Sequence, residues 1–307
     1  MDNLTHSLVG ALIGQTGLKR KTGLAMPALI IGANIPDIDA SCVLLVDMHH
    51  LALRRGITHG PIAWIVLPLL LAGGLWWFDR WQARRGKRPA GRAPVHFGWL
   101  FALSLIGCLT HPALDWMNSY GVRLLEPFSH RWFYGDVLFI IDLWLWLGLG
   151  FATWLSLRRE KRGGDWQRPA RIALAAGLAY IGANWAISAA DRARSTSFEH
   201  VISSPVPVAF WQRDSIGVSG NRFYDGEGAP IGTVPLERCD LAEARKQRRD
   251  VDAFLFWSRA PVMDRAEDGS FVLSDARYYS PMSRGRFSVT LPEGVCQSSA
   301  EGAGSAP

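Results

Sequence analysis

The sequence predicts a mainly α protein: a polytopic helical membrane domain followed by a small soluble C-terminal domain of α+β or β-rich character. Three observations carry this. From Leu4 to Ala190 the chain is a series of apolar blocks separated by short charged or Gly/Pro-rich joints, whereas the composition from Asp191 onward is that of a soluble domain. Lysine and arginine are concentrated in three of the joints. Tryptophans gather in clusters, Trp76-Trp77-Phe78-Asp79-Arg80-Trp81 and Trp144-Leu145-Trp146, as they do at membrane interfaces and lipid-facing surfaces. The expected division is residues 1–190 for the membrane domain, 191–296 for the soluble domain and 297–307 for a small, polar, disordered tail.

Taken in order, Leu4–Gly17 and Leu24–Ile35 are short helices, each below the roughly 20 residues that a bilayer core demands. Pro61–Phe78 and Ile172–Ala190 approach that length, and Val95–Met117 and Val137–Leu157 reach it. The expectation is four spans and two shorter helices, six membrane helices in all. After Asp191, Ala253–Ser258 and Ser270–Leu273 are expected strands flanking a turn at Asp268-Gly269, and Arg286–Leu291 is a third. Leu236–Arg249 has helical composition.

The net charge of +6 invites a nucleic-acid reading, but its placement argues against one. Lys19, Arg20 and Lys21 fill one joint, Arg80, Arg84, Arg85, Lys87, Arg88 and Arg92 a second, and Arg158, Arg159, Lys161, Arg162, Arg168 and Arg171 a third. Joints rich in Lys and Arg stay cytoplasmic. Threading six helices with these joints inside puts every other joint, and the C-terminal domain, outside; in a bacterial inner membrane that means an extracytoplasmic location. The amino terminus lacks the basic region of a cleavable signal peptide, so the first helix is the expected targeting element. Of the four cysteines, Cys42 and Cys108 are expected to fill space, while an outward location would allow Cys239 and Cys296 to pair.

The same threading brings together residues that a hydrophobic protein has no packing reason to keep: Asp2, His6, Asp37, Asp39, His59, His111 and Asp115. Imidazoles and carboxylates at one depth are what a site for zinc or a similar divalent ion requires. His111 and Asp115, at i and i+4, stack on one helix face, with Pro112 expected to mark the start of a turn. In Asn34-Ile-Pro-Asp37-Ile-Asp39, Pro36 disfavours helix at Ile35; Asp37 is the favoured ligand and Asp39 supports it or shares the role. Thr58 is an expected helix cap that leaves His59 projecting, and Arg55 is placed to pair with a carboxylate or meet an anionic substrate. His49 and His50, being adjacent, are expected at the surface or behind the ligands. Asp2 offers a cap for the first helix, whereas His6 would face the bundle. Arg123 is suited to phosphate or carboxylate recognition, with interfacial anchoring as its alternative. Asp142, inside the fifth helix, is expected to pair with Arg123 or hold a ligand histidine.

As a set, the Met1–His6 opening, Asn34–Asp39, Arg55–His59, His111–Asp115 and the Gly121–Ser129 stretch ending near Asp142 resemble the YdjM-type family of membrane-bound proteins assigned as metal-dependent hydrolases, over roughly residues 1–190. That family is distantly similar to zinc-dependent phospholipase C and the zinc single-strand nucleases. The resemblance implies His6, Asp37, His59, His111 and Asp115 as metal ligands. Nothing after Asp115 has the later histidine and His-x-x-x-Glu form of the zinc phospholipases, since Tyr134 follows His130 at i+4, so one or two ions are expected rather than three.

The resulting expectation is an integral-membrane hydrolase acting on an ester or phosphoester of a lipid-like molecule, with zinc activating water. Asp37 or Asp39 would take the proton, and Arg55 or Arg123 would neutralise developing charge. The alternative is a non-catalytic metal-binding scaffold or interaction protein. A transporter is disfavoured because ionisable residues are not found at mid-helix depth. Membrane lipids are the expected partners, and nucleic acid is not.

Overall fold

A computed structural model describes residues 1–44, 50–279 and 283–297. His49, the Cys42 side chain and residues 298–307 of the expected tail lie outside what is described. The chain forms two compact units, one of residues 1–39, 55–189 and 204–213, the other of 40–54, 190–203 and 214–307.

The first unit is helical. Asp2 starts α1 (Asn3–Gln15) by accepting hydrogen bonds from the Leu4 and Thr5 amides at 3.0 Å, as expected of an N-cap aspartate. A turn through Lys19 leads to α2 (Ala25–Gly32), and Pro36 then diverts the chain into a 3₁₀ stretch, Ile35–Leu44. The short α3 (His50–Leu53) belongs to the second unit, where it packs on α9 (Arg249–Trp257). The long helices are α4 (Pro61–Arg84), α5 (Phe97–Trp116), α6 (Leu143–Lys161) and α7 (Gln167–Arg194). Among the described residues, α4, α5 and α7 are long and apolar enough to cross a membrane.

The expected span Val137–Leu157 is corrected by its start. Val137 and Leu138 donate their amides to the Met117 carbonyl at 2.8 and 2.9 Å, and the helix begins only after Asp142. Asp142 caps it by accepting from Trp144 and Leu145, and its other oxygen accepts from Tyr180 Oη at 3.0 Å; it neither pairs with Arg123 nor holds a histidine. Pro112 also departs from expectation, lying inside α5 rather than at a turn.

Glycines set the tightest packing. An added Cβ at Gly107 of α5 would lie 2.6 Å from the Leu29 carbonyl oxygen of α2, and one at Gly32 would lie 2.7 Å from the Ser104 carbonyl oxygen. These glycines let α2 and α5 meet backbone to backbone, as small residues do in membrane bundles. Leu29, Leu100 and Leu103 complete that seam, fully buried.

The three basic joints gather at one end of this unit. Lys19 pairs with Glu160 at the foot of α6, the Gly23 amide donates to the Pro94 carbonyl, and the His96 amide donates to Thr22 Oγ1. His6, Asp37, His59, His111 and Asp115 gather elsewhere, around the start of α1 and the final turns of α5.

The second unit carries two three-stranded sheets. One has the order β1 (His200–Pro205), β2 (Arg213–Ser219), β3 (Arg222–Tyr224), with β1 and β2 reaching into residues 204–213. After the short helix α8 (Leu241–Gln247) and then α9, the other follows in the order β4 (Pro261–Arg265), β5 (Phe271–Asp275), β6 (Ser288–Thr290). The Asp268-Gly269 turn and the β5 and β6 strands fall where expected, but Ala253–Ser258 is helical, not a strand. Val251, Phe254 and Trp257 are buried at i, i+3 and i+6, a helical period that alternation within the segment hid. Trp257 stacks on Tyr278 and Phe287. Cys239 and Cys296 form a disulfide, as allowed for by the sequence, while Cys108 is free and buried.

Buried Asp275 ties α9 to this sheet, accepting from Ser258 Oγ and the Arg259 and Ala260 amides and pairing with Arg277. Burial alone would raise its pKa, but Arg277 and these donors hold it below the ordinary 3.8. A carboxylate depressed in the folded state stabilises fully above its unfolded pKa and loses that contribution as pH falls toward the folded one. The second unit is therefore expected to lose stability as pH drops below about 4, and in Asp275→Asn that part of the pH dependence disappears, as acid titration of unfolding will read.

Candidate metal centre

Four elements of the first unit deliver the side chains. The last turns of α5 present His111 and Asp115, which share a face at i and i+4. The 3₁₀ stretch after α2 presents Asp37 and Asp39, the 3₁₀ turn Ile57–His59 presents His59, and the first turn of α1 presents His6. His6, His59, His111 and Asp115 are all fully buried.

Asp115 is the hub. Its Oδ2 lies 3.4 Å from His59 Nε2 and 3.5 Å from His111 Nε2, and its Oδ1 lies 3.5 Å from His6 Nε2. Asp37 Oδ1 is 3.6 Å from His111 Nε2. One donor atom from each of Asp37, His59, His111 and Asp115 lies within 4.8 Å of all the others. Tetrahedral bonds of about 2.0–2.1 Å imply donor–donor separations of roughly 3.3–3.4 Å, so three of these contacts have nearly the spacing of atoms sharing one ion. His59 Nε2, His111 Nε2, Asp115 Oδ2 and both nitrogens of His6 are buried without a hydrogen-bond partner. Orphaned polar atoms at that depth cost free energy unless a ligand satisfies them. The donor set therefore fits a divalent ion.

The surroundings fix the tautomers. His111 Nδ1–H donates to the Ala33 carbonyl at 2.7 Å, leaving the Nε2 lone pair for the ion. His59 Nδ1 lies 3.0 Å from Thr58 Oγ1, which in turn donates to Asp39 Oδ2 at 2.8 Å. Burial, opposed by the Asp115 carboxylate, holds the His59 pKa below its ordinary 6.5. His6 stacks on the His111 ring, with centroids 3.8 Å apart, beside rather than within the group of four.

Several expected roles shift. Thr58 is no helix cap, since Gly60 starts α4 without a side-chain bond; Thr58 instead links Asp39 to His59. Asp39 Oδ2 also accepts the Arg55 amide at 2.7 Å, so Asp39 sits behind His59. Arg55, 2% exposed, pairs through Nε with Asp115 at 3.0 Å and donates to Asn118 Oδ1 and the Gly121 carbonyl. Arg123 donates to Glu126 Oε1 at 2.6 Å and lies over Trp132. Both guanidiniums are thus buried and already engaged, which leaves them poorly placed to meet substrate. The reading of single motifs missed Glu126, a buried carboxylate bridging Arg123 and the exposed ring of His130, whose Nδ1 is 2.7 Å away. The i, i+4 spacing of Glu126 and His130 could have disclosed it, read in the order Glu then His.

With this geometry in hand, a family model described as YdjM inner membrane protein matches residues 1–190, more than half of the chain. The chain belongs to that family. The five clustered residues His6, Asp37, His59, His111 and Asp115 all fall within the matched segment, as do α4, α5 and α7 up to residue 190. The family description places the protein in a membrane, in agreement with its three long apolar helices. A Bacillus subtilis (strain 168) relative, "Uncharacterized protein YfhP", is 24% identical over 285 residues, which cover 84% of this chain and 80% of that protein. No solved structure matches.

Proposed function

We propose that this protein is an integral-membrane hydrolase that uses one or two zinc ions against an ester or phosphoester of a lipid-like molecule at the extracytoplasmic surface. The carrying observation is the buried convergence of Asp37, His59, His111 and Asp115, whose imidazole and carboxylate donors suit zinc. Asp115 turns Oδ2 to His59 and His111, where it would help hold an ion, while its Oδ1 is shared between His6 and the buried Met1 amino group. A bound divalent ion supplies an activated water and a Lewis acid. The chain's own parts are Asp37 or Asp39 to receive a proton, Arg55 to pair with Asp115, and Arg123 with Glu126 to hold the exposed ring of His130.

A lipid-like substrate is supported by a groove of about 410 Å³ lined by Ile30, Ile31, Ile35 and Ile38 together with Asn3, Asn34 and Asp37. An extracytoplasmic C-terminal unit is supported by the Cys239–Cys296 disulfide, a bond that persists in oxidising compartments, and by the gathering of the basic joints at one end of the helical unit. In intact cells a membrane-impermeant thiol reagent, added after mild reduction, is expected to label Cys239 and Cys296; labelling only after lysis would reverse the proposed orientation.

A second reading has its own observation. Four protein donors close a tetrahedron, and closed zinc sites are structural. The deciding experiment measures metal in detergent-purified protein and its hydrolysis of phosphoester and acyl-ester lipid substrates. Zinc that leaves on chelation, taking hydrolysis with it while the fold survives, is the expected result. Metal without hydrolysis, with unfolding on chelation, selects the scaffold. Absence of metal after reconstitution rejects both.

A further inference from the structure

Helices α6 and α7 share one apolar cluster of the helical unit, Leu145, Leu149 and Ala152 of the first with Ala170 of the second. Trp166 and Ser156 close the seam near the turn between them, and Asp142 and Tyr180 close it toward the other side. Between these points lies a groove of about 530 Å³. Its α6 wall is Phe151 and Leu155, one turn apart, and its α7 wall includes Ile172. Phe151 and Ile172 are each about three-fifths exposed, at 61% and 58%. The next residue of the α6 stripe, four beyond Leu155, is Arg159; the residue four before Ile172 is Arg168. Because α6 ends where α7 begins, both arginines line the same end of the seam, the end where the basic joints gather.

Neither guanidinium has an ion pair among the described residues. The nearby carboxylates are otherwise engaged: Glu160 pairs with Lys19, and Asp165 accepts the Arg168 amide. Two unpaired cations above an apolar slot form a pattern complementary to one kind of molecule, with an anionic head and hydrocarbon tails. Basic pockets between membrane helices bind anionic lipid headgroups on this principle.

We propose that the α6–α7 groove is a binding site for an anionic phospholipid, its phosphate held between Arg159 and Arg168 and an acyl chain lying along Phe151, Leu155 and Ile172. The site is separate from the metal centre and does not depend on hydrolysis. Gly148 at its far end supplies a clean probe, because nothing lies within 4 Å of an added Cβ there. Leucine at that position fills the slot while improving helix propensity, so the helix survives the change.

The experiment titrates the delipidated, detergent-purified full chain with phosphatidylglycerol and with phosphatidylcholine of the same acyl chains, counting bound lipids by native mass spectrometry. One phosphatidylglycerol is expected to bind about thirtyfold more tightly than phosphatidylcholine, the preference that two cations near a membrane surface supply. Arg159→Gln/Arg168→Gln is expected to abolish the preference, Gly148→Leu to weaken binding of both lipids, and Lys161→Gln/Arg162→Gln, which removes the same charge outside the groove, to leave both unchanged. Equal binding of the two lipids by the wild type overturns the proposal. So does loss of preference in the Lys161/Arg162 control, or competition by glycerol 3-phosphate at the lipid's own concentration, which would mark a site for soluble phosphate. Should the double arginine variant fail to fold, binding by Gly148→Leu at the wild-type level overturns it equally.

Discussion

Asp115→Ala is expected to abolish tight metal binding and to lower stability by about 3–5 kcal/mol, the usual cost of removing one partner from a buried charge cluster. The residue is fully buried, and no other side chain of the cluster lies beside all three histidines and Arg55. Its loss removes the carboxylate shared by His59 and His111 and strands the Arg55 guanidinium, which keeps only Asn118 and Gly121 as hydrogen-bond acceptors. The two effects separate experimentally. Asp115→Asn preserves size and one acceptor oxygen but not the charge, so metal content should fall as far as in alanine while thermal unfolding moves less. His111→Ala is expected to lose metal at smaller cost to the fold, since it gives up one hydrogen bond, from Nδ1 to the Ala33 carbonyl, and an unpartnered Nε2 rather than the carboxylate at the hub. Full metal occupancy in either Asp115 variant, measured by elemental analysis of purified protein, would show that the ion sits elsewhere.

Much of the helical unit and most of the cluster could be read before any coordinates, for a physical reason. Apolar runs of bilayer length and basic joints are one-dimensional signals, and His111 and Asp115 at i, i+4 fix their own geometry once the segment is helical. What escaped depends on distant partners. The start of α6 was misplaced because Val137 and Leu138 read as apolar helix, whereas their amides are taken by Met117 from another segment. The assignment of Ala253–Ser258 failed because Phe254 and Trp257 belong to a helical stripe whose third member, Val251, stands outside that window. The sequence left Arg55 between a carboxylate partner and an anionic substrate and offered Asp142 to Arg123; only the folded chain shows the first beside Asp115 and the second beside Glu126. Glu126 stands only three residues after Arg123 and could have been read, whereas the pairing of Arg55 with Asp115 joins distant segments and leaves no local pattern to read. The same holds for the α6–α7 groove, whose two arginines looked like topology signals alone.

The packing of α2 on α5 links the fold to the metal centre, so a change remote from every ligand should reach it. Gly107→Val is expected to destabilise the protein by about 1–3 kcal/mol, the range of overpacked cores, and to weaken metal binding along with it. A Cβ at Gly107 would stand 2.6 Å from the Leu29 carbonyl oxygen and 3.0 Å from the Ala33 amide nitrogen, and both are backbone atoms of the α2 segment that cannot rotate aside. The helices must therefore separate. Ala33 carries the carbonyl that orients His111, and four residues later the same segment delivers Asp37 to His111 Nε2. Moving α2 away loosens both contacts at once, and a displacement of even 1 Å matters where donor atoms must meet one ion at about 2.0–2.2 Å. Valine at Gly73 is the matching control, since an added Cβ there meets nothing within 4 Å. Thermal unfolding and zinc titration of the two variants should diverge, with Gly107→Val losing in both and Gly73→Val in neither. Wild-type zinc affinity in a destabilised Gly107→Val would instead mean that α5 alone positions His111, independently of its contact with α2.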